Sequence, residues 1–286
     1  MHVEGLLLLV AVIWGGSYSA AKIAAEQIPV LQLLVLRFGL TFVLLLPALR
    51  GLAGASWPAA LAGASVLGAN LLAIFVCETF GVSLTSAANA AFLISLCVAF
   101  TPLCEWWLLR VRPSAMVASA AGLSLLGATL LAFQHGADAG LSWGDGLMVL
   151  AALLRGVMVC LTRRHGQRHS LPALTLTAVQ MGVMTLGAAA MAVAVHGTTW
   201  APLPGNASFW GAIAFLVLLC TLLAFFVQNY AIARTQPSRV ALLMGSEPLW
   251  GALIAVTWLG EHMTWQGWLG GALIVISAWW VTRSPR

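Results

Sequence analysis

Charge is what this sequence has least of. Only 7% of its 286 residues are Asp, Glu, Lys or Arg, against 61% hydrophobic. A soluble domain carries about a quarter charged residues to stay solvated, so a water-surrounded globule is excluded. Acidic residues are the scarcest, 8 in all, and no pair of them is spaced as a catalytic dyad. The cysteines Cys77, Cys97, Cys104, Cys160 and Cys220 form no CxxC pair, which removes a zinc site or a disulfide framework. His2, His135, His165, His169, His196 and His262 fall in loops or termini without metal spacing. HExxH, GxSxG and phosphate-loop patterns are missing as well, so the chain is expected to be no enzyme, intramembrane catalysis being a remote alternative, and to need no metal or cofactor. The basic excess of +5 is scattered singly or in short groups, which argues against nucleic acid as a partner.

What the sequence has in abundance is long apolar runs. A helix crossing the hydrocarbon core takes about 20 apolar residues. Breaks with turn chemistry at Ile28-Pro29, Ser56-Trp57-Pro58, Arg112-Pro113, His135-Gly136, Leu171-Pro172, Pro202 to Gly205 and Gln236-Pro237 divide the runs. The spans read as 4–24, 29–49, 58–80, 85–108, 115–134, 144–162, 172–196, 208–231, 238–259 and 265–282. The break near Ser83 has the weakest signal, and one long kinked helix there is the rival reading. The basic residues support ten. Arg50, Arg110, Arg112, Arg163, Arg164, Arg168, Arg234, Arg239, Arg283 and Arg286 then share one side, while Lys22, Asp138 and Asp145 take the other. The positive-inside rule places both termini in the cytoplasm of a cell's inner (plasma) membrane.

The two halves, 1–138 and 139–286, match one another at an offset of about 145 residues. Glu4-Gly5 and Gly15 fall on Asp145-Gly146 and Gly156, and Pro29, Arg37 and Gly39 fall on Pro172, Gln180 and Gly182. The stretch Phe75 to Phe80 falls on Phe225 to Tyr230, Thr85 on Thr235, and Ala118 to Gly122 on Gly267 to Gly271. Five spans per half force the second half to enter the membrane inverted. The expected fold is therefore all-α and integral to the membrane, with ten helices in two inverted repeats, a plan suited to alternating access.

Trp14-Gly15-Gly16-Ser17, Arg37-Phe38 and Thr85 to Leu93, with Ser246-Glu247-Pro248 and Trp258-Leu259-Gly260-Glu261, resemble the EamA branch of the drug/metabolite transporter superfamily. The first half departs from this pattern, with Leu109-Arg110-Val111-Arg112 where the second has Leu-Gly-Glu. The resemblance implies ten helices, alternating access and export of amino acids or related metabolites, as in aromatic amino-acid exporters of the YddG type. Nucleotide sugars and hydrophobic cations are the alternative cargoes. A lipid bilayer and a small-molecule substrate are the expected partners; a monomer suffices for the work, and a homodimer is compatible with it.

Ionisable groups inside spans are costly and tend to face a cavity or a partner. Arg37, Arg155, Glu78 and Glu247 are such groups. Either the arginines attract a substrate carboxylate and the glutamates an ammonium group, or the four satisfy one another. Trp14, Ser17, Tyr18 and Trp250 are candidate pocket residues, and the amides Asn89 and Gln180 are candidate polar contacts. Gly15, Gly16, Pro102 and Pro248 are the expected hinges, the prolines each freeing a carbonyl and kinking a span.

Overall fold

The computed structural model describes residues 3–53, 57–84, 93–133, 143–168, 171–197, 199–259 and 264–282. Among these every regular element is helical. The helices are α1 (Val3–Gly15), α2 (Ser17–Ala25), α3 (Val30–Leu45), α4 (Trp57–Leu84), α5 (Cys97–Leu109), α6 (Ala115–Phe133) and α7 (Trp143–Arg168). After them come α8 (Ala173–His196), α9 (Ala207–Ala214), α10 (Ala224–Ile232), α11 (Pro237–Met244), α12 (Glu247–Leu259) and α13 (Trp265–Thr282). A 3₁₀ turn, Leu46–Leu52, extends α3, and a π-helical stretch, Phe215–Leu223, joins α9 to α10.

Helices start where backbone donors are spared or capped. Pro29 and Pro172 precede α3 and α8, and Pro237 opens α11, the position where a missing N–H costs nothing. Asn206 caps α9 by accepting from the Phe209 N–H at 2.8 Å. Helix α4 continues through Ser83, and the expected break beyond it, at 85–92, lies outside the described residues.

Among the described residues five helices are long and apolar enough to cross a membrane: Val30–Leu52, Pro58–Gly81, Trp143–Gln167, Ala173–Val195 and Ala207–Ile232. Val3–Gly15, Leu93–Leu109 and Ala115–Leu130 are shorter apolar helices. The long ones are only 33% to 50% buried, and their outer faces carry Val43, Leu44, Val66, Leu186 and Val195. Apolar surface on that scale needs an apolar surrounding, which lipid supplies.

The packing order decides where a site can lie. Helix α4 packs on α7 and α8, α3 on α8, α5 on α7, and α6 on α13. Helix α1 runs against α10, α11 and α12. One apolar core, with Phe38, Phe209, Phe225, Met181 and Leu216 fully buried, joins most of these helices. The α6–α13 pair packs against α12 through a small cluster of Ala128, Leu249 and Ile274.

The expected hinges divide into two kinds. Gly16 is a turn between α1 and α2. A Cβ on neighbouring Gly15 would lie 2.7 Å from the Gly251 nitrogen and 2.9 Å from the Trp250 Cβ, so glycine is what lets α1 and α12 touch. Gly245 and Ser246 interrupt the ninth predicted span between α11 and α12, and Pro248 then sits in the first turn of α12. Pro248 therefore starts a helix rather than kinking one, because a first-turn N–H has no intrahelical acceptor. Pro102 lies inside α5, and the discontinuity in that span falls before it, at Leu96.

Candidate functional site

The breaks in α1–α2 and α11–α12 adjoin the charged residues. Glu247 opens α12, where the positive end of the helix favours a carboxylate. Arg155 reaches it from α7 with Nη1 to Oε2 at 3.3 Å, while Nη2 donates to both oxygens of Glu78, on α4, at 3.0 Å. One guanidinium thus joins two carboxylates from separate helices. Its planar fork suits this better than a lysine would. The guanidinium carbon also lies 5.5 Å from the centre of the Trp14 ring, within cation–π range.

Arg37 sits elsewhere and is held differently. It is buried, its Nε donates to the Thr221 hydroxyl at 2.7 Å, and Thr221 in turn donates to the Leu216 carbonyl. That acceptor lies five residues back, within the π-helical stretch, whose wider turn supplies it. The Arg37 guanidinium stands 5.1 Å from the Phe75 ring centre and 5.4 Å from Phe38. No carboxylate lies within ion-pairing distance of it among the described residues.

Aromatic rings connect the two cations. Phe75 is 6.1 Å from Phe225, Phe225 is 5.6 Å from Trp14, and Trp14 faces Arg155. Trp14 is fixed by its Nε1 donating to the Cys220 carbonyl at 2.8 Å. Cys97 of α5 lies within electrostatic reach of Arg155, Glu247 and Glu78, which places α5 beside the same cluster. The arrangement has a net negative end at the carboxylate pair and a positive end at Arg37, with ring faces between.

The remaining predicted residues divide around this centre. Ser17 donates to the Trp14 carbonyl at 2.7 Å, and Trp250 donates to the Ser246 hydroxyl at 3.1 Å beside the α11–α12 break. Gln180 belongs to a separate polar group: Asn229 donates to Gln180 Oε1 at 2.8 Å and to the Thr177 hydroxyl at 2.9 Å. The Gln180 Nε2 is buried without a hydrogen-bond partner. The side chain of Tyr18 and the whole of Asn89 lie outside the described residues. Thr221, Phe75 and Phe225 contact this centre, and the sequence did not single them out as candidates. The pairing of Phe75 with Phe225 between the halves was the one available signal.

The profile of the EamA-like transporter family matches this chain twice, over residues 3–133 and 142–283. Two uncharacterized transporters of Archaeoglobus fulgidus are each 26% identical, one over 98% of this chain and 97% of its own length, the other over 95% and 82%. The uncharacterized transporter YcxC of Bacillus subtilis is 25% identical over 71% of this chain and 66% of its own. A solved crystal structure aligns with a TM-score of 0.74 at 21% identity, covering 98% of this chain and 96% of that one. The likeness to that structure extends to the fold. Apolar helices with lipid-facing flanks, a charged cluster at helix breaks and the doubled family match agree, and the chain belongs to the EamA-like transporters of the drug/metabolite superfamily, multi-pass membrane proteins.

Proposed function

We propose that the chain exports aromatic or other neutral amino acids from the cytoplasm by alternating access. The observation that carries this reading is the divided charge of the centre. Arg37 and Arg155 balance Glu78 and Glu247 in number, yet both carboxylates gather on Arg155 while Arg37 faces rings and a hydroxyl. An amino-acid zwitterion presents its ammonium to Glu78 and Glu247 and its carboxylate to Arg37. Its side chain then lies along Trp14, Phe225 and Phe75, where apolar and aromatic groups gain contact.

The proposed architecture is ten spans in two inverted five-helix repeats, 1–138 and 139–286, with both termini in the cytoplasm of the plasma membrane. Matched positions support it by their contacts. Phe75 meets its counterpart Phe225, and Trp14 meets Arg155, which stands where the Gly15–Gly156 match places its counterpart. Helix α1 packs on α12 as α7 packs on α5, and α3 and α6 each pack on their own counterparts, α8 and α13. Groups that touch their own symmetry mates lie next to the axis relating them, and in this plan the axis passes through the substrate site. Rocking of the repeats about Gly15-Gly16, Gly245-Ser246 and the Pro102 segment would expose that site to each side in turn.

Counterflow of labelled phenylalanine in proteoliposomes, with and without a pH gradient, is the direct test. Accumulation that is lost in Arg37→Gln is expected. Counterflow of a nucleotide sugar with none of phenylalanine would overturn the substrate assignment. The paired carboxylates and rings also suit a hydrophobic cation, and the two cargoes separate cleanly: Arg37→Gln would leave cation transport intact.

A further inference from the structure

Glu105 is buried in α5, yet no part of the proposed substrate site uses it. Its Oε2 accepts from the Ser238 backbone N–H at 3.2 Å and from the Ser238 hydroxyl. Ser238 lies in the first turn of α11, so the carboxylate satisfies donors that an α-helix leaves unpaired and meets the positive end of its dipole. The next residue, Arg239, is itself buried and pairs with Glu4 of α1, Nη1 to Oε1 at 3.6 Å. Just upstream, Arg163 of α7 donates to the carbonyls of Ile232 and Ala233 at 3.0 and 2.8 Å, closing the end of α10. Arg163 is also the cation within electrostatic reach of Glu105. Two helices, α1 and α5, therefore grip the first turn of α11 while α7 holds the end of α10, and α11 packs against α1, α5, α6 and α7. The arginine distribution assigns this end of the bundle to the cytoplasm.

The residues of this grip are not repeated in the sequence at the matched positions of the other half. With Thr85 matched to Thr235, the counterpart of Ser238 is Ala88 and that of Glu105 is Ala255. Arg239 and Glu4 correspond to Asn89 and Asp145. A hydrogen bond to a carboxylate contributes roughly twice what a neutral one does.

We propose that Glu105 is a positioning residue for transport: with Glu4 it latches the first turn of α11 and holds the cytoplasmic mouth shut. The inference rests on the alternating-access reading above. Wild-type counterflow is therefore measured first, and its absence would reject that reading rather than the latch.

The test uses the full chain in proteoliposomes, with Cys77, Cys104, Cys160 and Cys220 replaced by alanine and Cys97 kept as a central reporter. A membrane-impermeant maleimide is applied to each face separately. Glu105→Ala is expected to raise Cys97 labelling from the cytoplasmic face about tenfold, the loss of a charge-assisted buried bond, and to lower it from the other face. Ser238→Ala, which keeps the backbone N–H bond to the carboxylate, should shift labelling in the same direction by less, as should Glu105→Gln. The KM for substrate on the cytoplasmic side should drop with the first two variants, because a larger fraction of carriers is open there. Labelling that changes equally on both faces, labelling that does not change, or KM values that rise together on both sides would each overturn the proposal.

Discussion

Gly15 and Gly156 hold matched places in the two halves and serve the same purpose. A Cβ on Gly15 would fall 2.7 Å from the Gly251 nitrogen, and one on Gly156 would fall 3.2 Å from the Thr101 nitrogen. Gly251 and Thr101 are themselves counterparts under the Thr85–Thr235 match. The backbone frame thus repeats even to its close crossings, with the first-half crossing the tighter. The chemistry mounted on it does not repeat. Arg37 stands against Gln180, Glu78 against Gln228, and Glu247 against Cys97. In one half Arg37 bonds a hydroxyl and faces rings; in the other, Gln180 joins an amide and hydroxyl network. A shared frame thus carries unequal side chains, and these set the uneven charge of the centre.

The comparison can be broken most forcefully at Arg155. Replacing it with alanine leaves Glu78 and Glu247 facing each other without their shared cation, and a loss of about 3–5 kcal/mol of stability is expected, read by thermal unfolding in detergent. Transport should vanish with it. Next, Gly15→Ala should cost about 1–3 kcal/mol from overpacking against α12, and Gly156→Ala measurably less, since its neighbours stand farther off. Equal losses would mean the crossings do not differ as their spacing says. Arg37→Gln installs the second half's residue in the first. It should reduce zwitterion counterflow at least about tenfold, equivalent to about 1.4 kcal/mol, with an unfolding temperature close to wild type. The smallest effect is expected of Glu78→Gln. It leaves Arg155 and Glu247 as a simple pair, so stability should change by less than about 1 kcal/mol, while the apparent affinity for the amino acid falls.

Much of the scaffold was legible because turn residues punctuate it. Pro29, Pro172 and Pro237 stand where helices start, and Gly15-Gly16 stands where one is interrupted. Ionisable residues in apolar runs were legible as site candidates because hydrocarbon makes them expensive. Their partition was not. Nothing local in the sequence says that Arg155 takes both glutamates while Arg37 takes Thr221, since those contacts join residues 77, 92 and 184 positions apart. The π-helical stretch was invisible for another reason: Phe215–Leu223 is apolar but for Thr221 and contains neither Gly nor Pro. Glu105 escaped notice because it adjoins Trp106 and Trp107 near a span end, where interfacial residues are expected. Its burial comes from a turn 133 residues away.

The shared guanidinium has a consequence for how the chain is made. Glu78 lies in the membrane-crossing helix Pro58–Gly81, and Arg155 arrives with Trp143–Gln167, after several intervening helices. A charge at the centre of a lone inserted helix costs about 2.5–3.5 kcal/mol, less toward its ends. Glu78 must therefore wait in the nascent protein for a partner not yet synthesised, and Arg155 must then keep a place for Glu247, which emerges later still. The first half is an unfinished product on its own. Cells expressing the gene as two separate fragments, cut between residues 134 and 142, should retain each fragment only when both are present.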